Sequence, residues 1–372
     1  MKNKTKKPSL HSKELGSITE WEIYQIPGKL KLLLEHREKI TDIIHKIDVD
    51  NIKHIYLIGA GSSYHAGFAM SYMFNRFIIP THCEFSMEFR YLIEPILQKN
   101  DCVIALSQSG ETKDTIESIK LAKESKDCLT IAITNNINST LAHVCDHNIS
   151  LYCGKEESVL ATKTYINQLA VLAIIALEMA KHRNSINRER YDYIQQELEK
   201  IPKSIKDSLE PLHKEIKKYS QYFKFAEFCF ILGGGPDYAT AMEASLKLKE
   251  GSRIFGQAYS TAEFPHGPIT LADSSAWILA IIPKEEDQRK RNLIRLLKRI
   301  KERKATILGV YEAEEPDETV EPIDFGIQVP NTIDDLQPLL MILAVQLLTL
   351  EISRIKGINC DTPKYLSKVS GI

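Results

Sequence analysis

Three stretches of this chain carry residue types at spacings that chemistry can use. The first is Ser107-Gln108-Ser109-Gly110-Glu111-Thr112, between a short apolar run at 102–106 and a helical pattern that opens at Thr112. Hydroxyls beside a helix N-terminus, with its unbonded backbone N–H groups, form a ready anion site. Ser107, Ser109 and Thr112 can donate to phosphate oxygens, and Gly110 lets the backbone approach closely. The plainer alternative is a serine-rich helix cap. Gly61-Ser62-Ser63, after the apolar run 55–58, can bring a further hydroxyl to the same crevice, or is simply a strand-to-helix turn. The second stretch holds Glu243, Lys247 and Glu250 at i, i+4 and i+7, which predicts one helix face with two carboxylates flanking an ammonium. A solvated face with an intrahelical ion pair is the alternative there. The third, Ala262-Glu263-Phe264-Pro265-His266-Gly267-Pro268, holds an imidazole in a stiff loop, for acid–base work or as an exposed structural histidine. Pro268 predicts extended backbone at Gly267.

Elements that position these residues follow from the apolar pattern. Residues 27–47 read as helix, and then short apolar strands at 55–58, 102–106, 129–134 and 148–152 alternate with amphipathic helices. A long helix at 161–182 closes the unit. That alternation predicts a parallel sheet covered on both faces, the doubly wound α/β class. The same order then returns at 228–232, 277–282, 305–310 and 325–329, closed by a helix at 339–355. The offset stays at roughly 173–177 residues over all four strands, which points to internal duplication. The expected organisation is a basic, disordered tail over 1–19, a first domain over 20–185, a helical linker over 186–218, a second domain over 219–356, and a C-terminal tail over 357–372. In open parallel sheets ligands bind beyond the carboxyl ends of the strands, where the candidate stretches fall. The second half has Ile282-Pro283-Lys284-Glu285-Glu286-Asp287 where the first has its serines, so the fold itself does not require them.

Composition narrows the function classes. A net charge of −1 supplies no field for nucleic acid or an anionic membrane, so an anionic substrate must be caught by a local arrangement. Seven cysteines without CxxC spacing argue for a reducing, cytoplasmic setting with neither a disulfide framework nor a zinc site. The eleven histidines show no ligand spacing, and acid–base chemistry built on carboxylate, imidazole and ammonium needs no metal and no cofactor. No GxxxxGK[ST] motif occurs, which disfavours a nucleoside triphosphate. The apolar runs at 169–177 and 339–350 are read as too short for a membrane span.

Taken together, GAGSSYHAG, SQSGET, ESVLATK, ASLKLKE, AEFPHGP and the tail LSKV occur in the order found in the sugar isomerase (SIS) family, and the chain resembles its double-module enzymes from about Glu20 onward. Those include the isomerase half of glutamine–fructose-6-phosphate aminotransferase, SIS-type glucosamine-6-phosphate deaminases and fructosamine-6-phosphate deglycases. The resemblance implies that Ser63, Ser107, Gln108, Ser109 and Thr112 bind the phosphate end of a sugar, and Gly61 and Ser62, in the turn before Ser63, are taken as substrate-binding beside them. It implies that Glu250 shuttles a proton between carbons 1 and 2 of the open chain, with Lys247 and Glu243 on the polar face beside it. His266 matches a histidine that assists ring opening and is contributed across a dimer interface. Lys368 matches a lysine that closes over the sugar and, in the aminotransferase, forms a Schiff base; Ser367 lies beside it in the same motif. Val159 and Thr162 match positions lining the pocket.

The chemistry fits these residue types. Opening a cyclic hemiacetal is general acid–base work suited to an imidazole. One carboxylate on the face of a cis-enediol can then take a proton from one carbon and return it to the next, and a lysine can polarise the carbonyl or condense with it. A phosphate anchored on a helix end lets remote binding energy orient the reacting carbons. The chain shows no glutaminase segment, and Ala161, AEFPHGP and LSKV lean towards the free-standing members. The first reading is therefore a homodimeric glucosamine-6-phosphate deaminase/isomerase. Alternatives are a synthetic isomerase fed by external ammonia or by a separate glutaminase subunit, a deglycase, and a sugar-phosphate sensor without turnover.

Overall fold

The computed structural model describes residues 7–8 and 14–368, so the two expected tails fall partly outside the described residues. Two compact units result. One comprises Gly28–Glu156 and Lys163–Glu199, with Ser367 and Lys368; the other comprises the stretch up to Pro27, Glu157–Thr162 and Lys200–Leu366.

Helices α1 (Ser17–Glu35) and α2 (Arg37–Lys46) come first. The chain then builds β1 (Ile55–Gly59), α3 (Ser62–Arg76), β2 (Thr81–Phe85), the single turn α4 (Phe89–Leu92), β3 (Cys102–Ser107), α5 (Lys113–Lys126), β4 (Leu129–Thr134), the short α6 (Thr140–Val144), β5 (His147–Ser150) and α7 (Lys163–His182). All pairings are parallel, in the order β2-β1-β3-β4-β5. After α8 (Arg188–Tyr219) come β6 (Phe228–Gly233), α9 (Pro236–Lys247), β7 (Phe255–Ser260), β8 (Trp277–Ile281), α10 (Gln288–Glu302), β9 (Thr306–Glu312), the short α11 (Asp317–Val320), β10 (Phe325–Val329) and α12 (Gln337–Ile355). The second sheet runs β7-β6-β8-β9-β10, again all parallel, so it repeats the first strand for strand. Even the turns match: Gly61 (φ 53, ψ −125) and Gly235 (φ 62, ψ −132) cap α3 and α9 in the same positive-φ conformation, which side chains resist.

Buried on both faces, the central strands read as unbroken apolar runs: every residue of β1 and β3 is buried. One core gathers Ile58, Phe89, Val103, Ile119 and Leu141; the other gathers Phe230, Phe264, Ile278, Leu293 and Leu297. Each such side chain contributes about 1.5–3 kcal/mol on burial. Helix α7 and the segment Asp334–Ile355 are long and apolar enough to cross a membrane, contrary to the sequence reading of their apolar runs. Every residue of both windows is buried, as in a core helix that is apolar all round.

Three sequence expectations change in detail. Each half has five strands where four were expected, and the additional ones, β2 and β7, are edge strands with no apolar run to announce them. Of β2 only Cys83 is buried. The helix expected over 27–47 is two, α1 and α2. Helix α1 begins at Ser17, inside the stretch expected to be a tail; Thr19 is buried, and its N–H and hydroxyl each donate to Asp361 Oδ1 at 2.7 Å.

Candidate functional site

In the first sheet, β3 ends at Ser107 and α5 begins after Thr112, so the Ser/Gly loop stands at the carboxyl edge of the sheet and at a helix N-terminus. Thr112 is the cap residue, yet its side chain makes no capping bond. Its hydroxyl meets the Ser107 hydroxyl at 2.9 Å instead, leaving the first-turn N–H groups of α5 without a side-chain cap. Ser107 is buried and accepts the Gly110 N–H at 3.1 Å, while Ser109 accepts the Glu111 N–H at 3.1 Å. The loop is thus braced internally, Ser107 most of all. Gly110 has φ 69, and a Cβ there would lie 2.0 Å from Ser139 Oγ, so nothing but glycine fits. Ser139 is itself buried and caps α6, and Glu111 clamps that helix through the Thr140 N–H (2.9 Å) and hydroxyl (2.8 Å).

Ser63, in the first turn of α3, accepts a 2.9 Å hydrogen bond from Gln168 Nε2 on α7. The turn before it, Gly61-Ser62, is the positive-φ cap already described. A cleft of about 690 Å³ opens beside the loop, lined by Lys29, Gln108, Ser109, Asn135, Tyr152 and Lys155 among others. Two lysines therefore border a loop whose own residues carry no cation. Lys368 belongs to this unit too: its Nζ lies 3.0 Å from Glu156 Oε2, on a carboxylate that also accepts the Thr164 N–H and hydroxyl. Ser367 beside it is exposed.

The other unit holds the carboxylate cluster. Helix α9 stops at Lys247, and residues Leu248–Ser252 form a π-helical turn that carries Glu250. The continuous helix face expected from the i, i+4, i+7 spacing is therefore corrected: Glu250 reaches Lys247 across a widened turn, a local distortion common at functional sites. Lys247 Nζ lies 2.6 Å from Glu250 Oε2 and 3.4 Å from Glu243 Oε1. Side chains of Glu243 and Lys247 are each 1% exposed, against 18% for Glu250, so only Glu250 opens to solvent. Burial works against the Lys247 charge, but the two carboxylates outweigh it and hold the ammonium above its ordinary range. A fixed cation with one shared, accessible carboxylate can pass a proton between neighbouring atoms of a bound molecule.

His266 ends a single 3₁₀ turn, Phe264–His266. Phe264 is fully buried, edge-on to Phe230 at 5.1 Å between centroids, so the core anchors the turn while His266 stands exposed. Gly267 adopts φ 141 and ψ −58, not the extended conformation expected before Pro268. Glycine has access to a region that the residue-before-proline rule, framed for side chains, does not cover. Val159 and Thr162 lie in the same unit: the Val159 N–H donates to Asp361 O at 3.0 Å, and Thr162 O accepts Gln346 Nε2 at 3.2 Å. Where the second sheet repeats the position of the Ser/Gly loop, ion pairs fill the space. Arg289 bonds Asp287 (2.5 Å) and Asp334 (2.9 Å), and Lys284 bonds Glu312 (2.7 Å).

Glu156, Gln168, Lys29 and Lys155 are the residues that sequence reasoning missed. Glu156 immediately precedes the ESVLATK stretch, and that adjacency was its only signal.

A family model described as SIS domain matches residues 49–178 and 226–353. A glutamine–fructose-6-phosphate aminotransferase (isomerizing) of Clostridium acetobutylicum is 34% identical over 93% of this chain, and one of Bacteroides thetaiotaomicron is 33% identical over 91%. The chain spans little more than half of each, 57% and 53% of their lengths. Among solved structures, the C-terminal domain of a glucosamine–fructose-6-phosphate aminotransferase from Francisella tularensis superposes with a TM-score of 0.84 at 27% identity, covering 95% of this chain and 99% of that one. A glucosamine-6-phosphate deaminase from Thermotoga maritima gives 0.75 at 24% identity over 95% and 99%, a likeness of fold.

Proposed function

Because the chain belongs to the SIS-domain family, with matches in both of its halves, we propose that it is a phosphosugar aldose–ketose isomerase that converts glucosamine 6-phosphate to fructose 6-phosphate and ammonia. The observation that carries this reading is the Glu243–Lys247–Glu250 cluster, in which a buried ammonium and a buried carboxylate stand beside a second carboxylate that stays accessible. In the proposed sequence His266 assists ring opening, exposing the aldehyde at carbon 1. Glu250 takes the proton from carbon 2 and returns it to carbon 1, converting the amino-aldose to a 2-imino sugar. Water adds to that imine, ammonia leaves, and the ketose remains. The loop of Ser107, Gln108, Ser109 and Thr112, with Ser63, anchors the phosphate, and the Lys368 ammonium assists at the carbonyl end.

A second reading, the synthetic direction with ammonia from outside or from a glutaminase partner, is favoured by the aminotransferase relatives. The two are one set of steps run in opposite senses. Incubating the purified protein with glucosamine 6-phosphate, and separately with fructose 6-phosphate and ammonium, decides between them. Faster release than synthesis at matched concentrations supports the deaminase. Synthesis alone favours the second reading, and activity in neither direction removes the deaminase and the form of the second reading that uses free ammonia.

We place this enzyme in the cytoplasm, which the seven buried free cysteines suit. We also propose a homodimer that shares His266 between active sites; exposure of that ring is consistent with service to a second copy. Mixing inactive His266→Ala and Glu250→Gln proteins is then expected to restore about a quarter of wild-type activity, from hybrids with one intact site. No recovery after subunit exchange contradicts sharing.

A further inference from the structure

We infer that Glu156 is a positioning residue that sets the ammonium of Lys368. Only the catalytic use of Lys368 rests on the proposed function; the pairing of the two residues is independent of it. The Glu156 side chain is fully buried and that of Lys368 is 24% exposed, with 3.0 Å between Nζ and Oε2. Glu156 is itself fixed. Its Oε1 accepts the Thr164 N–H at 3.3 Å, and its Oε2 accepts the Thr164 hydroxyl, in the first turn of α7, where the helix end favours negative charge.

The stretch leading to Glu156 is pinned as well. The Cys153 N–H donates to Asn135 Oδ1 (3.1 Å), Asn135 Nδ2 donates to Gly154 O (2.6 Å), and Lys163 Nζ donates to Lys155 O (2.7 Å). A carboxylate held this way cannot follow a moving lysine, so the lysine is localised by the carboxylate. Just before Lys368 the chain is exposed: Tyr365 is 92% exposed and Ser367 is exposed too. An ammonium with one N–H committed to a fixed oxygen has the directions of its other donors set. Such fixing matters for a lysine, whose long stem is otherwise free to sample many rotamers.

Glu156→Gln keeps the size and an acceptor for Thr164 while removing the charge. It is expected to lower kcat about tenfold with KM changed less than about threefold, since the phosphate loop is untouched. The double variant with Lys368→Met should lose no more than Lys368→Met alone, because two residues acting as a unit are not additive. A Glu156→Gln protein with unchanged kcat, or losses that multiply in the double variant, overturns the inference; Glu156→Asp replaces Gln if the first variant does not fold. A substrate-free measurement separates this from the functional reading. Amine acetylation of Lys368, measured by mass spectrometry against exposed Lys364, should be slow in the wild type and several-fold faster in Glu156→Gln. Equal ratios in the two proteins overturn the pairing. A wild type without phosphosugar turnover would defeat the functional reading and still leave the pairing decided.

Discussion

Lys247 is the residue on which the carboxylate cluster depends. It is buried, it lies against two carboxylates, and one of them, Glu243, is as buried as it is. Removing one partner of a buried ion pair leaves the other charge uncompensated, which costs about 3–5 kcal/mol. Lys247→Met is therefore expected to lower unfolding stability by about that amount, and adding Glu243→Leu should recover part of it, because one of the two carboxylates that lost the ammonium is then removed. Urea denaturation of the three proteins checks this, and a Lys247→Met protein as stable as wild type contradicts it. At this scale the sequence was partly legible. Hydroxyls around a glycine after an apolar run, and Glu/Lys/Glu at helical spacing, announce themselves by type and distance. Glu156 and Lys368, 212 residues apart in the chain, share no periodicity, and only the fold brings them together.

Elements were legible where they are buried and obscure where they meet solvent. Central strands such as β1 and β3 are continuous apolar runs because both faces are covered, whereas the edge strand β2 has one buried residue in five and reads as loop. The π-turn after α9 could not be read either, because Leu248, Lys249 and Glu250 continue the helical spacing and Gly251 reads equally well as an ordinary helix end. Charged contacts between elements give a pH prediction. Glu351 on α12 accepts from His213 on α8 at 2.9 Å and from Arg354 at 2.7 Å, and Arg354 also binds Glu20 on α1 at 2.6 Å. Burial works against the Glu351 charge, but the His213 hydrogen bond and the Arg354 guanidinium hold its carboxyl down at about 2. A depressed carboxyl contributes stability above its unfolded value of about 4.3, and that contribution fades as pH falls towards about 2. Glu351→Gln should thus be less stable than wild type at neutral pH, with the gap closing between those two values. Thermal melts across that range test it, and a gap that persists at the acid end contradicts the assignment.

Duplication organises the whole molecule. Two sheets with one strand order, and two positive-φ glycine caps of one geometry, show a common plan that the steady strand offset had disclosed. The copies then diverged in chemistry. The first keeps hydroxyls and an uncapped helix end, and the second fills the same position with Arg289, Asp287 and Asp334. A crevice whose cations and anions already satisfy one another has nothing left for a phosphate. Calorimetric titration with a hexose 6-phosphate should therefore find one site per chain, and two equivalent sites would refute this division of labour.

The most direct test of the proposed chemistry concerns Glu250. Wild-type protein and Glu250→Gln should bind glucosamine 6-phosphate with similar affinity, because the substitution leaves the proposed phosphate anchor, the Ser/Gly loop of the first sheet, unchanged. Turnover to fructose 6-phosphate and ammonia should fall by about a thousandfold or more in the variant, the loss expected when the group that carries the proton is gone. A Glu250→Gln protein that retains full turnover would contradict that chemistry at its centre.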